Sequence, residues 1–534
     1  SIGKSAEMEL TGYGWLVDAA VAAAAAAILA AAIFVLYYRK ELTKYAVMAS
    51  RSLHLLKDVN GPKNRPFVGC IFEFTWEVCE FTHQLEKLAK DILADKENPL
   101  GMLKAWIGPV PVVVLMRARH VKVLLESNSL ITKPWFYDIV SDWLGRGLLT
   151  STSDKWYSRR KIITPTFHFN ILKGYREVFV TQGRIFVDQL ESVADTDREI
   201  DVFPYIKRCA LDIIAETAMG TQLNTQTGGS AEYCEAVAII QKRMFEYMLM
   251  PLLWIKPIWY GLWFGFQFDR LVKMTQDFTL QVIRERRRLM QEEGLLGEKD
   301  IEESKALSKK SVFIDMLLLQ QEANNFIDED IREEVDTFMF EGHDTTAAAM
   351  GFTVWFLGQY PEYQKLVHQE VDAVFGDDRY RDPTEDDLRK LPFLERCIKE
   401  ALRFMPSVPM IARVLSHDLK IDNVTLPKNL AVVISPWMTQ RDPDHWERPE
   451  EFYPDHFLPE KVAARDPYAY VPFSAGPRNC VGQKFAIAEE KTVLSWFFRR
   501  YSVESAEPFP GNRIVPELIM KPYNGFQVRL YKRR

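Results

Sequence analysis

The sequence predicts a mainly α-helical body with small β-sheets, preceded by a single N-terminal membrane-crossing helix. Three observations predict it. Stretches with apolar residues at helical spacing dominate from residue 67 to the end. Strand-like pieces are few and short, as in Ala105-Trp-Ile, Val112-Val-Val-Leu115 and Leu430-Ala-Val-Val-Ile434. Residues 19–38 run for twenty positions without a charge, enough as a helix to span about 30 Å of hydrocarbon.

At the N-terminus, Glu7, Glu9 and Asp18 precede the uncharged run and Arg39, Lys40 and Lys44 follow it. The basic flank is the one that stays in the cytosol, so residues 1–18 are expected in the lumen. Alanine is only weakly lipophilic and a soluble helix is the alternative, but Ile28, Leu29, Ile33, Phe34, Val35 and Leu36 reinforce the span. A mitochondrial presequence is disfavoured by three acids and no arginine before Arg39. Residues 39–66 read as a linker, ending in the stiff run Gly61-Pro-Lys-Asn-Arg-Pro66, and 67–534 as the catalytic domain.

A chain of 534 residues, 47% hydrophobic, can bury a large core, and a net charge of -6 gives no reason to expect nucleic acid. Six cysteines without a CxxC pair suit a reducing compartment. Nine histidines show no HExxH spacing.

The chemistry centres on Phe473-Ser-Ala-Gly-Pro-Arg-Asn-Cys-Val-Gly482, which presents one cysteine just before an amphipathic run, Gln483 to Arg500. Near a helix N-terminus the thiolate of Cys480 is expected to be favoured, making it a metal ligand. Gly476 lets the loop turn, and Gly482 lets the backbone pass close to something flat and large. Arg478 offers a fork of donors to a carboxylate, and Phe473 can pack on the sulfur side. A buried structural thiol beside a turn is the alternative.

Further upstream, Trp156 and Arg160 stand at i and i+4 on one helix face, spaced to hold a carboxylate together or simply to stack at a surface. The stretch 251–268 carries Trp254, Trp259, Trp263, Phe264, Phe266 and Phe268 with Lys256 as the only charge before Asp269, and reads either as core or as a segment dipping into a membrane. Residues 284–310 mix both signs of charge and read as an exposed helix end plus loop.

A long helix is predicted from Asp328 to about Gln359, where Pro361 stops it. Its middle holds Phe340-Glu-Gly-His-Asp-Thr-Thr346, and polar groups inside a buried helix are costly unless partnered. Glu341 and Thr345 share a face, with Gly342 leaving room for a planar ligand. A hydroxyl and a carboxylate, Thr345 and Asp344, can relay protons to bound dioxygen. Hydrogen bonding of Glu341 to His343 or to backbone is the alternative.

The spacing Phe-x-x-Gly-x-Arg-x-Cys-x-Gly, complete here, resembles the haem-binding loop of the cytochrome P450 superfamily, as Trp156-Tyr-Ser-Arg-Arg160 resembles its WxxxR motif and Glu400-Ala-Leu-Arg403 its ExxR pair. Glutamate at 341 resembles family 4, and Leu148 to Trp156, Thr164 to Phe169 and Cys209 to Ile214 look most like its V subfamily, then C. The resemblance implies the cytochrome P450 fold, haem b ligated through Cys480, and a cofactor site made with Glu341, Trp156, Arg160, Arg413, Phe473, Arg478 and Gly482. It implies an ester from Glu341 to a haem methyl, a structural Glu400–Arg403 pair whose third member is in doubt because His456 stands where arginine is common, and a substrate pocket among Phe340, Ile411 and Leu518.

The function so implied is a monooxygenase that inserts one atom of O2 into a fatty acid or similar lipid at its terminal methyl. The electron donor implied is NADPH–cytochrome P450 reductase, with cytochrome b5 as a further partner. The reductase is expected to dock near Lys484, Lys491 and Arg159-Arg160-Lys161. The enzyme would be single-pass in the endoplasmic reticulum membrane with its catalytic domain cytosolic. The rivals are action on a sterol, terpenoid or xenobiotic, a reductase-independent isomerase or dehydratase, and a non-catalytic haem or lipid binder.

Overall fold

A helix of 32 residues, Asp328–Gln359, runs through the middle of the protein, about 48 Å long at 1.5 Å per residue. Asp328, Glu329 and Asp330 fill its first turn, where acids complement the helix dipole, and the Asp330 carboxylate accepts from the Ile327 N–H at 3.2 Å. It ends at the residue before Tyr360-Pro361, as the sequence predicts. Ile331, Met339, Ala348, Phe352 and Trp355 bury different sides of it, the pattern of a helix enclosed all round. The helices Phe203–Ala218, Pro392–Phe404 and Gln483–Arg500 and the strand Tyr501–Ser505 pack on it.

The computed structural model describes residues 19–22, 24–25, 29, 39–40 and 43–533, except 76, 168, 230–231, 296–311, 320 and 322–325. Among the described residues the fold is mainly helical, with four small sheets. The largest orders its strands Met102–Ile107, Val110–Leu115, Ala431–Ile434 and Ile411–Val414. Its outer pairs are antiparallel, and Val112 to Leu115 run parallel to Ala431 to Ile434. All three predicted strand segments fall in this sheet.

Packing onto the body begins before residue 67. Met48, Leu56 and Val59 are buried with Val113, Leu115 and Ile434, and Arg51 pairs with Asp418 at 2.6 Å, so much of the expected linker lies against the sheet. Among the described residues no helix is long and apolar enough to cross a membrane. The span predicted at 19–38 lies, but for seven of its positions, outside the described residues, as do 1–18 and 296–311.

The aromatic stretch at 251–268 divides its faces. Trp259 and Phe268 are core, whereas Leu252, Ile255, Leu262, Trp263 and Phe266 are exposed. Of the charge-rich stretch at 284–310, the part through Glu292 is helical.

Candidate functional site

Gly476 turns the cysteine loop at φ +68°, and a Cβ there would stand 1.9 Å from the Leu125 carbonyl oxygen, so only glycine fits. The loop closes with the Cys480 N–H donating to the Phe473 carbonyl at 2.9 Å, and the helix Gln483–Arg500 follows. Phe473 packs against the main core. Cys480 alone among the six cysteines has an exposed side chain. Burial pushes its thiol up to about 12, with Glu341 adding to the rise against a Gly482 N–H and the charge of Arg160.

This corrects the sequence expectation for Cys480. The helix N-terminus does not by itself favour the thiolate, since desolvation outweighs it, and a bound cation is what would hold the sulfur deprotonated. At Gly482 a Cβ would find only the Cys480 sulfur at 3.9 Å and Phe167 at 4.0 Å, so the surface beside the sulfur is open.

Three cations converge near this space. Arg478 directs its fork at the carbonyls of Ile131, Leu148, Leu149 and Ser151, at 2.6 to 3.0 Å, with its guanidinium 5.0 Å from the buried Trp156 ring. Arg413, 3% exposed, donates to its neighbour's carbonyl, Ala412 O, at 2.8 Å. Lys133 holds its ammonium 4.5 Å from the Tyr137 ring. Burial, then Arg413 and Arg478, push Lys133 well below the usual lysine range, while Glu341 opposes them. Arg160 grips Asn479, the residue before the cysteine, at 2.6 and 2.8 Å. Trp156 and Arg160 therefore both face the cysteine loop, one supporting Arg478 and the other the loop itself.

Lys133 and Tyr137 escaped the sequence reading. A lysine inside the otherwise uncharged run Leu130 to Phe136 was the available signal.

The Glu341 carboxyl makes no hydrogen bond among the described residues, and burial raises it to about 7 against the pull of Lys133 and Arg478. His343 is turned elsewhere, its Nδ1 2.7 Å from the Met339 carbonyl. Thr345 Oγ1 donates to the Glu341 carbonyl at 2.7 Å, and Ser407 donates to the Thr345 carbonyl at 2.8 Å. Gly342 has another purpose than the expected one. A Cβ there would meet Ile214 at 2.6 Å, so the glycine admits the crossing helix Phe203–Ala218 and not a planar ligand.

Asp344 points away from Thr345. It pairs with Lys207 Nζ at 2.6 Å and accepts from Gln241 at 2.6 Å, at the edge of a polar cleft of about 570 Å³ shared with Asp201, Lys521 and Asn524. Burial works to raise its carboxyl, but Lys207 more than offsets this and holds it below the usual range.

Ile411 and Leu518 line an apolar cavity of about 300 Å³ between the large sheet and the end of the helix Glu232–Leu249. Phe340 is not in its wall, being 2% exposed and packed on Trp143 with ring centres 4.6 Å apart.

The doubt over a third partner for Glu400 and Arg403 resolves. His456 Nδ1 lies 3.1 Å from both Glu400 oxygens, beside an Arg403 bond of 2.7 Å. Of the expected docking cations, Lys491 pairs with Glu395 at 2.7 Å and Arg159 is buried against Asp330, leaving Lys161 and Lys484 exposed.

These residues fit an iron porphyrin. Among the described residues no group of three histidines, cysteines or acids could hold a metal, so a metal at Cys480 must bring its other ligands with it. Burial and mutual repulsion push Lys133 and Arg478 below their usual ranges, and anions such as two propionates would relieve that repulsion.

Comparison with known proteins agrees. The family model described as Cytochrome P450 matches residues 59–529. Cytochrome P450 4V2 of Homo sapiens is 42% identical over 464 residues, 86% of each chain. Cytochrome P450 4c3 of Drosophila melanogaster is 37% identical over 519 residues, 94% of this chain and 93% of that one. The solved structure described as the crystal structure of cytochrome P450DA heme domain has a TM-score of 0.73 at 22% identity, covering 89% of this chain and 97% of that one.

Proposed function

The chain belongs to the cytochrome P450 family, and from that premise we propose that it hydroxylates a long-chain fatty acid or similar lipid at the terminal methyl. Membership makes it a haem-thiolate monooxygenase of family 4, with the V-subfamily relatives more similar than the C-subfamily one. Bound haem supplies the splitting of dioxygen, which thiolate ligation favours. Cys480 would ligate the iron, while Lys133, Arg413 and Arg478 would hold the propionates.

Thr345 Oγ1 is the hydroxyl positioned to hold a proton at the reacting face, and the Asp344–Lys207 pair at the inner edge of the polar cleft has to part before Asp344 can pass a proton toward it. Ile411 and Leu518 guide an apolar chain inward along the cavity. The exposed Leu252, Ile255, Leu262, Trp263 and Phe266 form an apolar surface next to the cavity-lining Met250, which suits entry of lipid from a bilayer. Anchorage in the endoplasmic reticulum membrane through residues 19–38, and electrons from NADPH through a reductase received near Lys161 and Lys484, complete this reading.

The observation that carries it is the unbonded carboxyl of Glu341 on the face it shares with Thr345. Such a carboxyl is free to form an ester with a haem methyl, one C–H bond of the methyl breaking with loss of a proton and of two electrons to dioxygen, and to narrow the approach so that only a chain end passes. Product analysis of the reconstituted enzyme with a lipid panel should give terminal alcohols, and Glu341→Ala should move oxidation inward. Unchanged regiochemistry would sink the gating role. Acidified solvent should leave haem on the protein, and its complete release would reject the bond.

A further inference from the structure

We propose that the lipid accepted by the apolar cavity carries a hydroxyl head group, a long-chain alcohol, in preference to a free carboxylate. This rests on the lipid-hydroxylase reading above and narrows its substrate class.

Two residues of the cavity wall are ionisable side chains of full charge, and both are acids, Glu246 and Glu517. Among the described residues no lysine, arginine or histidine lines it. Each acid has its cation behind it, Arg243 at 2.6 Å from Glu246 and Lys521 at 2.8 Å from Glu517, and neither cation reaches the wall. In both ion pairs the acid is the member that lines the cavity. The elements that carry the two acids also meet. The helix that ends at Leu249 and the hairpin of strands Ile514–Pro516 and Met520–Pro522 meet in a cluster of Phe245, Val515 and Cys79.

A donor stands on the same wall. The indole N–H of Trp135 is buried and has no acceptor. Its ring meets Trp254 edge-on at 4.5 Å, and the Trp254 N–H is bonded to the carbonyl of Tyr247, the residue after Glu246. The cavity wall thus offers both an unused donor and two carboxylates. A hydroxyl can accept from the first and donate to the second. A carboxylate has nothing to donate and finds on the wall no cation to offset the cost of taking its charge out of water. An ester can accept but not donate.

The test uses full-length holoenzyme at neutral pH with 1-dodecanol, dodecanoate and methyl dodecanoate. Binding is read by spectral titration, and terminal oxidation is read separately with reductase and NADPH. Dodecanol should bind about tenfold more tightly than dodecanoate, a factor worth about 1.4 kcal/mol, with the ester between them. Glu246→Gln combined with Glu517→Gln should shrink that ratio to about threefold or less, and Trp135→Phe should weaken the alcohol and ester by several-fold. Dodecanoate binding as tightly as dodecanol in the wild type would overturn the inference, as would an unmoved ratio in the double variant. If that variant fails to fold, the wild-type ratio and Trp135→Phe still decide. Preference for the alcohol with no terminal product from any probe would leave the head-group inference standing and remove the hydroxylase reading. Terminal oxidation with dodecanoate preferred would do the reverse.

Discussion

Two pairs of acidic and polar groups lie buried on neighbouring helices, and they resolve the cost of burial in opposite ways. On Pro392–Phe404, Glu400 is fully buried yet held below the usual carboxylate range. Burial alone would raise it, but Arg403 and His456 outweigh that. Its oxygens accept from Arg403 at 2.7 and 2.9 Å and from the Tyr453 N–H at 2.7 Å, besides His456. On Gln483–Arg500, Glu489 and Glu490 are as deeply buried, but their sole hydrogen bond among the described residues comes from the Thr346 hydroxyl, at 3.2 Å to Glu489. Burial pushes both well above the carboxylate range, with Glu490 adding to the rise at Glu489. Burial sets the size of the penalty, and the partners decide whether the group stays charged.

The charged network also aims the cysteine loop. Arg403 donates to the Gln440 carbonyl at 3.0 Å, and the Gln440 side chain accepts from the Val471 N–H at 2.9 Å, two residues before Phe473. The contrast breaks most sharply at Arg403. Arg403→Ala strands Glu400 without its cation, and such losses cost about 3–5 kcal/mol. Denaturant unfolding should show that drop, and the purified protein should carry little haem because the loop loses its tether. Full haem content at unchanged stability would separate Glu400 from the loop.

A smaller effect is expected at His456, whose Nδ1 serves Glu400 and whose Nε2 contacts the Glu447 carbonyl. His456→Ala should cost about 1–3 kcal/mol in thermal unfolding, since Arg403 still neutralises the acid. His456→Gln, which keeps a donor, should recover part of the loss.

Sequence alone reached what local signals encode. The acidic run at Asp328 and the proline at 361 mark both ends of the central helix, and Gly476 marks the turn of the cysteine loop, because caps and turns depend on adjacent residues. Contacts across the chain were not legible. Lys207 meets Asp344 over 137 positions, and nothing in either neighbourhood announces the other. Ile214 claims the space beside Gly342 in the same way. Cys480 shows the limit most plainly, since its position before a helix is visible in sequence whereas its burial and the charges of Glu341 and Arg160, which also act on its titration, are set by the fold.

The finest test of the two acidic sites is the sign of their pH dependence. Glu400 is deprotonated in the fold below the pH at which it is in the unfolded chain, so its stabilisation is present above about 4.5 and is lost as the solution is acidified through its folded value. Glu490 takes up a proton on folding. Its share of stability is complete below about 4.5 and declines as pH rises toward its folded value. Glu490→Gln replaces a neutral acid with a neutral amide of similar shape, so at acid pH the variant and wild type should unfold alike. Above that, the variant should gain on the wild type by up to about 1.4 kcal/mol for each pH unit, the slope of one proton. Unfolding midpoints from pH 5 to 8, an interval chosen for the experiment as roughly that of greatest protein stability, measure it directly. Parallel curves would mean that Glu490 is ionised in the fold and that the partners at Glu400 are not what separates the two sites.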